Sequence, residues 1–483
     1  MCYTGDMAVK QTIFWYDLET SGTDPRRSRV MQFAGQRTDL SLKPVGDPVN
    51  VLIRLSPDIL PDPDAVLITG ITPQMTLADG MSEAEFLRLF TQEVATPGTI
   101  FVGYNSVRFD DEFMRFLHWR NFYDAYTWQW KDGRGRWDLL DVVRMTRALR
   151  PDGIVWPMDG GKATNRLELL TKANKLSHDN AHDALSDVQA CIGVAKLIKE
   201  NQPKLFDYLF TMKDKKRVAE LVERDQPFVY TTGKYDSAFE KTSVAVRLAA
   251  HPSGQGSLVY DLRHDPTPFM ALGPAELAER WKWTREEGAL PRLPVKTLQY
   301  NRCPAVAPLA VLDGHSQARL KLDLGLIAKH RDKLRENPQF AQDVLEALKV
   351  LDAEREQWFT AASVDEQLYD GFVDDKNATI MSVIRAALPE ELTDIGKDLT
   401  DARLQQLLPL YKARNFPKSL SDEERAVWDA HCYAAIMEGG TESRLARYMH
   451  RLQQLSQTVT NADKRYLLEE LQLYAESIMP APD

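Results

Sequence analysis

Asp17 and Glu19 close an apolar run, Thr12-Ile13-Phe14-Trp15-Tyr16, and lead into Thr20-Ser21-Gly22. Five β-forming residues in succession predict a buried strand. Side chains on a strand repeat every two residues, so the two carboxylates share a face. Like charges that close repel unless something positive lies between them. Oxygen donors favour a hard divalent ion such as Mg²⁺ or Mn²⁺. A D-x-E pair is also ordinary at a solvated strand end, so other residues must join it before it means chemistry.

Two later segments offer partners. Phe101-Val102-Gly103-Tyr104-Asn105 reads as a short strand and turn, and Phe109-Asp110-Asp111-Glu112-Phe113 opens an amphipathic helix. Acids in a first helical turn normally act as caps and dipole partners, which suffices for Asp111 and Glu112. Asp110 follows a Phe expected to be buried, so it can point inward. Further on, a helix through Asp187 places that residue on one face with Ala190, Cys191, Val194 and Ile198. A carboxylate on an apolar stripe is costly unless paired or metal-bound. His182, five residues earlier, can reach the same place. Asp183 lies one turn before Asp187 and is a rival ligand; spacing alone does not choose between them.

Asp17-x-Glu19, Asn105-x-x-x-Phe109-Asp110 and His182-x-x-x-x-Asp187 together resemble the three motifs of the DEDDh 3′→5′ exonucleases. The resemblance narrows to the bacterial exodeoxyribonuclease I family through Asn105 to Glu112, Arg120-Asn121-Phe122-Tyr123-Asp124, Arg136 to Val142, Leu170 to Asn174 and Leu205 to Phe210. It continues through Arg335-Glu336-Asn337-Pro338, Gln367-Leu368-Tyr369-Asp370-Gly371-Phe372 and Ala413-Arg414-Asn415-Phe416-Pro417, and so spans nearly the whole chain.

That resemblance implies Asp110 rather than Asp111, and Asp187 rather than Asp183, as ligands. Asp17, Glu19, Asp110 and Asp187 would hold two Mg²⁺ ions, with Mn²⁺ an alternative. His182 would be the general base, since an imidazole titrating near 6.5 suits neutral pH. The implied activity is Mg²⁺-dependent, processive, single-strand-specific 3′→5′ hydrolysis of DNA to 5′-mononucleotides, in DNA repair or recombination. A DEDDh exoribonuclease or proofreading-type enzyme would share the same catalytic residues, but a compact RNase of that class lacks the sequence after residue 202. A non-catalytic strand-binding scaffold is the remaining alternative, and the five intact catalytic positions speak against it.

Composition agrees with an enzyme of the cytoplasm. Of 483 residues, 43% are hydrophobic and 27% charged, which is ordinary for globular chains. No apolar stretch is long enough to span a membrane, and the N-terminus lacks a signal-peptide pattern. Cys2, Cys191, Cys303 and Cys432 are scattered, without metal-ligand spacing, which suits free thiols in a reducing compartment. The net charge of −10 argues against coating duplex DNA but leaves room for a local basic channel.

Pattern shifts divide the chain. Residues 1–202 alternate candidate strands (12–18, 30–38, 48–55, 100–103) with helical stretches (83–94, 110–119, 138–149, 166–174, 182–199), an α/β layer fold that the resemblance makes an RNase H-like exonuclease domain. Residues 203–355 carry short apolar runs between Gly and Pro; here the resemblance implies an SH3-like β domain with added helices. Residues 356–483 are rich in Leu, Ala, Glu and Arg with helical spacing, ending in Arg444 to Met479, and predict an all-helical C-terminal domain.

Substrate contacts are harder to read. Tyr126, Trp128 and Trp130 alternate with other residues, which on pattern alone favours one face of a packed strand or loop over a base-stacking platform. Arginines on helices usually mark a solvated face. The resemblance raises Arg115, Tyr126, Trp130, Arg144 and Arg166 to substrate-binding candidates, with Arg166 able to clamp the scissile phosphate. Lys213-Asp214-Lys215-Lys216-Arg217 reads first as a solvated helix end. Family members also recognise the acidic, Phe-ended tail of single-stranded-DNA-binding protein; Arg319 is a candidate for that contact, while Gln226 and Ala341 stand where a basic residue would help. A monomer is the default.

Overall fold

The computed structural model describes residues 10–177, 183–282, 290–358 and 363–479, which fall into two compact units. The first gathers the chain up to 135, the stretch around 183–189 and the chain from 363 onward; the second gathers 136–177 and 190–358.

In the first unit β1 (Thr12–Thr20), β2 (Val30–Thr38), β3 (Val49–Leu52) and β4 (Thr99–Gly103) lie in the order β3-β2-β1-β4. β1 pairs antiparallel with β2, placing Asp17 opposite Ala34 and Glu19 opposite Gln32, and parallel with β4, from Thr12 opposite Thr99 to Trp15 opposite Val102. A strand flanked on both sides and covered on both faces must be apolar throughout, which is what the run before Asp17 provides. Phe14, Tyr16 and Leu18 enter a core with Phe33, Phe86, Phe90, Phe101 and Trp128. Packing there is tight enough to require Gly35 in β2, where a Cβ would lie 2.2 Å from the Phe14 ring. Trp15, on the other face, is buried and donates its indole N–H to Thr38 Oγ1 at 3.0 Å. Asp17 and Glu19 continue that second face, away from the aromatic core.

Helices α1 (Pro63–Thr69) and α2 (Pro73–Asp79) each begin with a capping residue and a proline: Asp62 accepts from the Asp64 amide and Thr72 from the Met75 amide. The sequence reading names neither. α3 (Glu83–Leu89) starts in a Ser82–Glu85 capping box and gives way to a π-helical turn, Phe90–Val94, so the stretch expected as one helix changes pitch midway. α4 (Asp110–Arg120) follows β4.

From residue 363 the described chain is helical, as expected. Its main helices are Asp375–Ala386, Ala402–Asn415, Asp422–Met437, Arg444–Thr458 and Ala462–Ser477. The stretch read over Arg444 to Met479 is therefore broken, and Asn461 caps its second half by accepting from the Lys464 amide. Met381, Leu404, Leu407 and Tyr411 pack directly on Phe116, Trp119 and Phe122 around α4.

The same seam holds a buried ion network. Arg414 reaches both oxygens of Asp365, at 2.7 and 2.8 Å, and Asp58 at 2.6 Å; Arg29 reaches Asp365 at 2.7 Å. Burial alone would raise both acids, but Arg414 and Arg29 outweigh it and hold Asp58 and Asp365 below the usual carboxylate range.

The second unit contains helices Leu139–Leu149, Leu167–Ala173, Pro203–Thr211 and Lys215–Val222, together with most of Ala184–Asn201, the helix that begins in the first unit. Its sheet is antiparallel, with strands Val295–Gln299, Gly256–Asp261, Thr242–Ala250, Phe228–Thr231 and Ala305–Pro308 side by side in that order. Phe228, Tyr230, Val259, Leu298 and Val306 fill its core with Val218 and Val222. The charge run at 213–217 brackets the start of a helix: Asp214 caps it, and Lys213 lies 4.0 Å over the Phe210 ring.

The ion network predicts a pH signature. Carboxylates depressed by folding stabilise the native state above their unfolded pKa near 4, and that stability is lost as pH falls through the lower folded value. Asp365→Asn should cost about 3–5 kcal/mol at pH 7, because it leaves two buried guanidinium groups short of charge. Unfolding measured from pH 7 down to 3 should show the gap to wild type narrowing below about pH 4.

Candidate active site

β1 presents Asp17 and Glu19 beside the first turn of the 184–201 helix, which carries Asp187. One oxygen from each of Asp17, Glu19 and Asp187 lies within 4.8 Å of the others. Asp110 lies outside that set, but its charge acts on both Asp17 and Glu19. Burial is the largest reason why Asp17 stands well above the usual carboxylate range, and Asp110, Glu19 and Asp187 add to it. Glu19 is pushed up to about 8 by burial, then by Asp187 and Asp110. Acids gathered in this way, Glu19 buried and Asp17 and Asp187 half-buried, favour protons or a cation between them. The donor set is all oxygen, so the site fits hard divalent ions.

The two choices that spacing left open have distinct geometry. Asp111, beside Asp110, faces the core and accepts from the Tyr16 hydroxyl at 2.6 Å. Asp183 is taken up in capping: its Oδ2 accepts from the Ser186 amide at 3.1 Å, and its carbonyl accepts from the Asp187 amide at 3.0 Å. Asp110 begins α4 after a break in which Asn105 takes a left-handed φ of 73° and Phe109 an irregular one. His182 lies outside the described residues.

Arg115, one turn after Asp111 on α4, is buried. It donates to Glu112 Oε1 at 2.6 Å and Gln129 Oε1 at 3.0 Å, and its guanidinium sits 5.4 Å from the Tyr126 ring centre. Burial works against its charge, but Glu112 and Asp111 outweigh that and hold it above its ordinary value. Tyr369 donates to the other Glu112 oxygen at 2.5 Å. The sequence reading gave no role to Gln129 or Tyr369 and read Glu112 as a cap; no local pattern connects residues so far apart.

The Tyr126-Trp128-Trp130 alternation is not one face of a strand. The segment turns in short 3₁₀ pieces, Thr127–Gln129 and Lys131–Gly133. Trp128 lies in the aromatic core against Phe101 and Tyr16, Tyr126 is half-buried, and Trp130 is 62% exposed. Arg144 and Arg166 belong to the second unit. Arg144 pairs with Asp141 at 2.7 Å and lies against Gly233, while Arg166 is exposed beside Glu168 and Asp159. Arg319, also in that unit, donates to the Ala148 carbonyl at 2.9 and 3.1 Å.

Known proteins share this chain's layout from end to end. Three family models match in series: "Exonuclease" over residues 14–195, "Exonuclease I SH3-like domain" over 213–349 and "Exonuclease I C-terminal domain" over 362–478. Exodeoxyribonuclease I of Escherichia coli K12 is 39% identical over 480 residues, 98% of this chain and 99% of that protein. The Haemophilus influenzae enzyme is 36% identical over 97% and 99% of the two chains. Among solved structures, a moderately thermophilic exonuclease I from Methylocaldum szegediense superposes with a TM-score of 0.90 at 41% identity, over 97% of this chain and 99% of that one. E. coli exonuclease I in complex with a dA16 oligonucleotide gives 0.91 at 38% identity over 97% and 100%, and a zinc-bound form of its single-stranded DNA complex gives 0.91 at 38% over 97% and 99%.

The carboxylate cluster makes a prediction that needs no substrate. Acids raised by folding destabilise the metal-free protein as pH climbs toward 8, because the native state must then give up protons it binds more tightly than the unfolded chain does. Asp187→Asn should raise the metal-free melting temperature at pH 8 by a few degrees. Divalent metal should release about one proton or more on binding wild type at pH 7, and fewer above pH 9. Calorimetry in buffers of different ionisation enthalpy measures the release directly.

Proposed function

The chain belongs to the exonuclease I family, and from that premise we propose that it hydrolyses single-stranded DNA from the 3′ end to 5′-mononucleotides, processively, in DNA repair or recombination. The single observation that carries this reading is the closure of Asp17, Glu19 and Asp187 to within 4.8 Å, with two of the three held above the usual carboxylate range. Metal-assisted cleavage of a phosphodiester at neutral pH uses a site of this kind, one that costs energy until cations fill it.

In this reading Asp17, Glu19, Asp110 and Asp187 hold two Mg²⁺ ions, with Mn²⁺ able to substitute. A metal bound there would supply a water of lowered pKa and neutralise charge on the leaving 3′-oxygen. His182 takes the attacking water's proton on an imidazole nitrogen. Arg166 clamps the scissile phosphate and meets the charge that develops on it. Arg115, buried between Glu112 and Gln129, is pre-set to offer a fixed edge to the strand. Tyr126 and Trp130 stack on bases, and Arg144 holds a backbone phosphate.

The division we propose is exonuclease domain 1–202, SH3-like domain 203–355 and helical domain 356–483. Arg319 would contribute to recognition of the acidic tail of single-stranded-DNA-binding protein. The protein would act as a cytoplasmic monomer.

A Mg²⁺-dependent digest of end-labelled strands tests the reading. Label at the 3′ end of single-stranded DNA should appear at once as mononucleotide, while label at the 5′ end stays long and duplex is spared. Asp187→Ala should lose at least about a hundredfold in rate, since one ligand fewer weakens an arrangement whose parts act as a unit. Faster loss of matching RNA would favour an exoribonuclease instead, and tight binding without cleavage would favour a scaffold.

A further inference from the structure

Cations crowd one recess of the antiparallel sheet in the second unit. Lys234, Arg263, Arg292 and Lys296 line a cavity of about 530 Å³ together with Tyr235 and Asp261. The acids at hand are already engaged. Asp261 is buried, accepts from the Ser243 hydroxyl and the Arg263 amide, and has His264 3.7 Å away. Asp265 is held by Lys333 at 2.9 and 3.0 Å, and Asp236 accepts from the Ala238 amide at 2.9 Å. The cations are not matched in return. Arg263 donates to the carbonyls of Thr242, Leu320 and Lys321 and lies 3.8 Å over the Phe239 ring, and Arg292 donates to the Trp281 carbonyl. Among the described residues, neither of these two nor Lys296 has a carboxylate in ion-pair contact.

Two features of the recess are unfavourable as they stand. Burial pushes half-buried Lys296 down to about 8, and Arg292 and Lys234 push the same way against Asp261. Tyr235 is only 7% exposed, and its buried hydroxyl has no hydrogen-bond partner among the described residues. Asp261 and Arg263, which line the cavity, both act on that hydroxyl, so it belongs to the cavity's inner wall. A buried donor without an acceptor is costly, and gathered cations without a counter-charge repel. One kind of ligand relieves both: an anion with several acceptor oxygens.

We propose that this recess binds a terminal phosphate monoester, the class to which a 5′-mononucleotide and the phosphorylated end of a strand both belong. A monoester near neutral pH is close to a dianion with free acceptor oxygens, which suits several cations and a hydroxyl at once. An internal phosphodiester carries less charge and is chained on both sides, so it does not reach a hydroxyl as covered as that of Tyr235. Lys234, Arg292 and Lys296 also line a second cavity of about 1020 Å³, which leaves room for the rest of the ligand. The site is built on other residues than the carboxylate cluster, and it does not depend on the nuclease reading.

The test is calorimetric titration of the full-length protein in EDTA, where no divalent metal can bridge phosphate to the carboxylates. The probes are inorganic phosphate, thymidine 5′-monophosphate, and an oligothymidylate carrying either a 5′-phosphate or a 5′-hydroxyl. Wild type should bind the first two. Lys296→Met should bind both about tenfold more weakly, because one charge-assisted hydrogen bond is lost, and Lys296→Arg should recover most of the loss. Tyr235→Phe should also weaken both, with its melting temperature unchanged or raised, since the hydroxyl it removes satisfies nothing in the free protein. Displacement of phosphate by the 5′-phosphorylated strand would assign the site to strand ends, and displacement by the mononucleotide alone would assign it to free product; either upholds the proposal. Equal displacement by the 5′-hydroxyl strand would overturn it, because internal diesters would then suffice. A wild type that binds neither phosphate nor thymidine monophosphate, or Lys296→Met and Tyr235→Phe that bind them as wild type does, would overturn it outright.

Discussion

Repulsion among carboxylates, Glu19 buried and Asp17 and Asp187 half-buried, is the constraint around which the first unit is arranged. Asp17, Glu19 and Asp187 are brought together by the backbone that carries them, one oxygen of each within 4.8 Å of the others. β1 is locked in register between β2 and β4, its other face is buried in aromatic rings, and the helix bearing Asp187 is capped in place by Asp183. Each of these is a stabilising interaction made elsewhere so that an unfavourable one can persist here. That pattern separates a site from a salt-bridged surface: the seam between α4 and the C-terminal helices also buries acids, yet Arg29 and Arg414 satisfy them and drive their pKa values down. In the cluster the shift has the opposite sign, and protons or a bound cation would relieve it.

A hierarchy of rigidity follows from this arrangement. The carboxylates sit on sheet and helix, where a displacement would disturb the core. Side-chain networks fix the residues around them: Glu112 and Gln129 hold Arg115 on α4, and Glu112 also holds Tyr369.

Much of this was legible before any coordinates. β1 announced itself through a five-residue apolar run ended by two acids, and Asp187 through its place on an apolar helical stripe. What failed had physical causes. α1 and α2 are about two turns long and begin with proline, so periodicity is too short to register although the caps are plain in Asp62-Pro63 and Thr72-Pro73. Tyr126, Trp128 and Trp130 look like a strand face because alternation mimics one, whereas 3₁₀ turns send Trp128 into the core and Trp130 outward. The setting of Arg115 depends on Tyr369, whose partner Glu112 lies 257 residues away, and only folding brings them together. Spacing could not show that Asp111 turns to the core, because its partner, the Tyr16 hydroxyl, lies on a strand 95 residues earlier.

The most direct test of the central claim is crystallographic: anomalous scattering from the protein grown with Mn²⁺ and a short single strand. The account predicts strong metal peaks among Asp17, Glu19 and Asp187, with the strand's 3′-terminal phosphodiester beside them. Full-occupancy Mn²⁺ elsewhere with this cluster empty, or a strand whose 3′ end lies remote from it, would contradict the account.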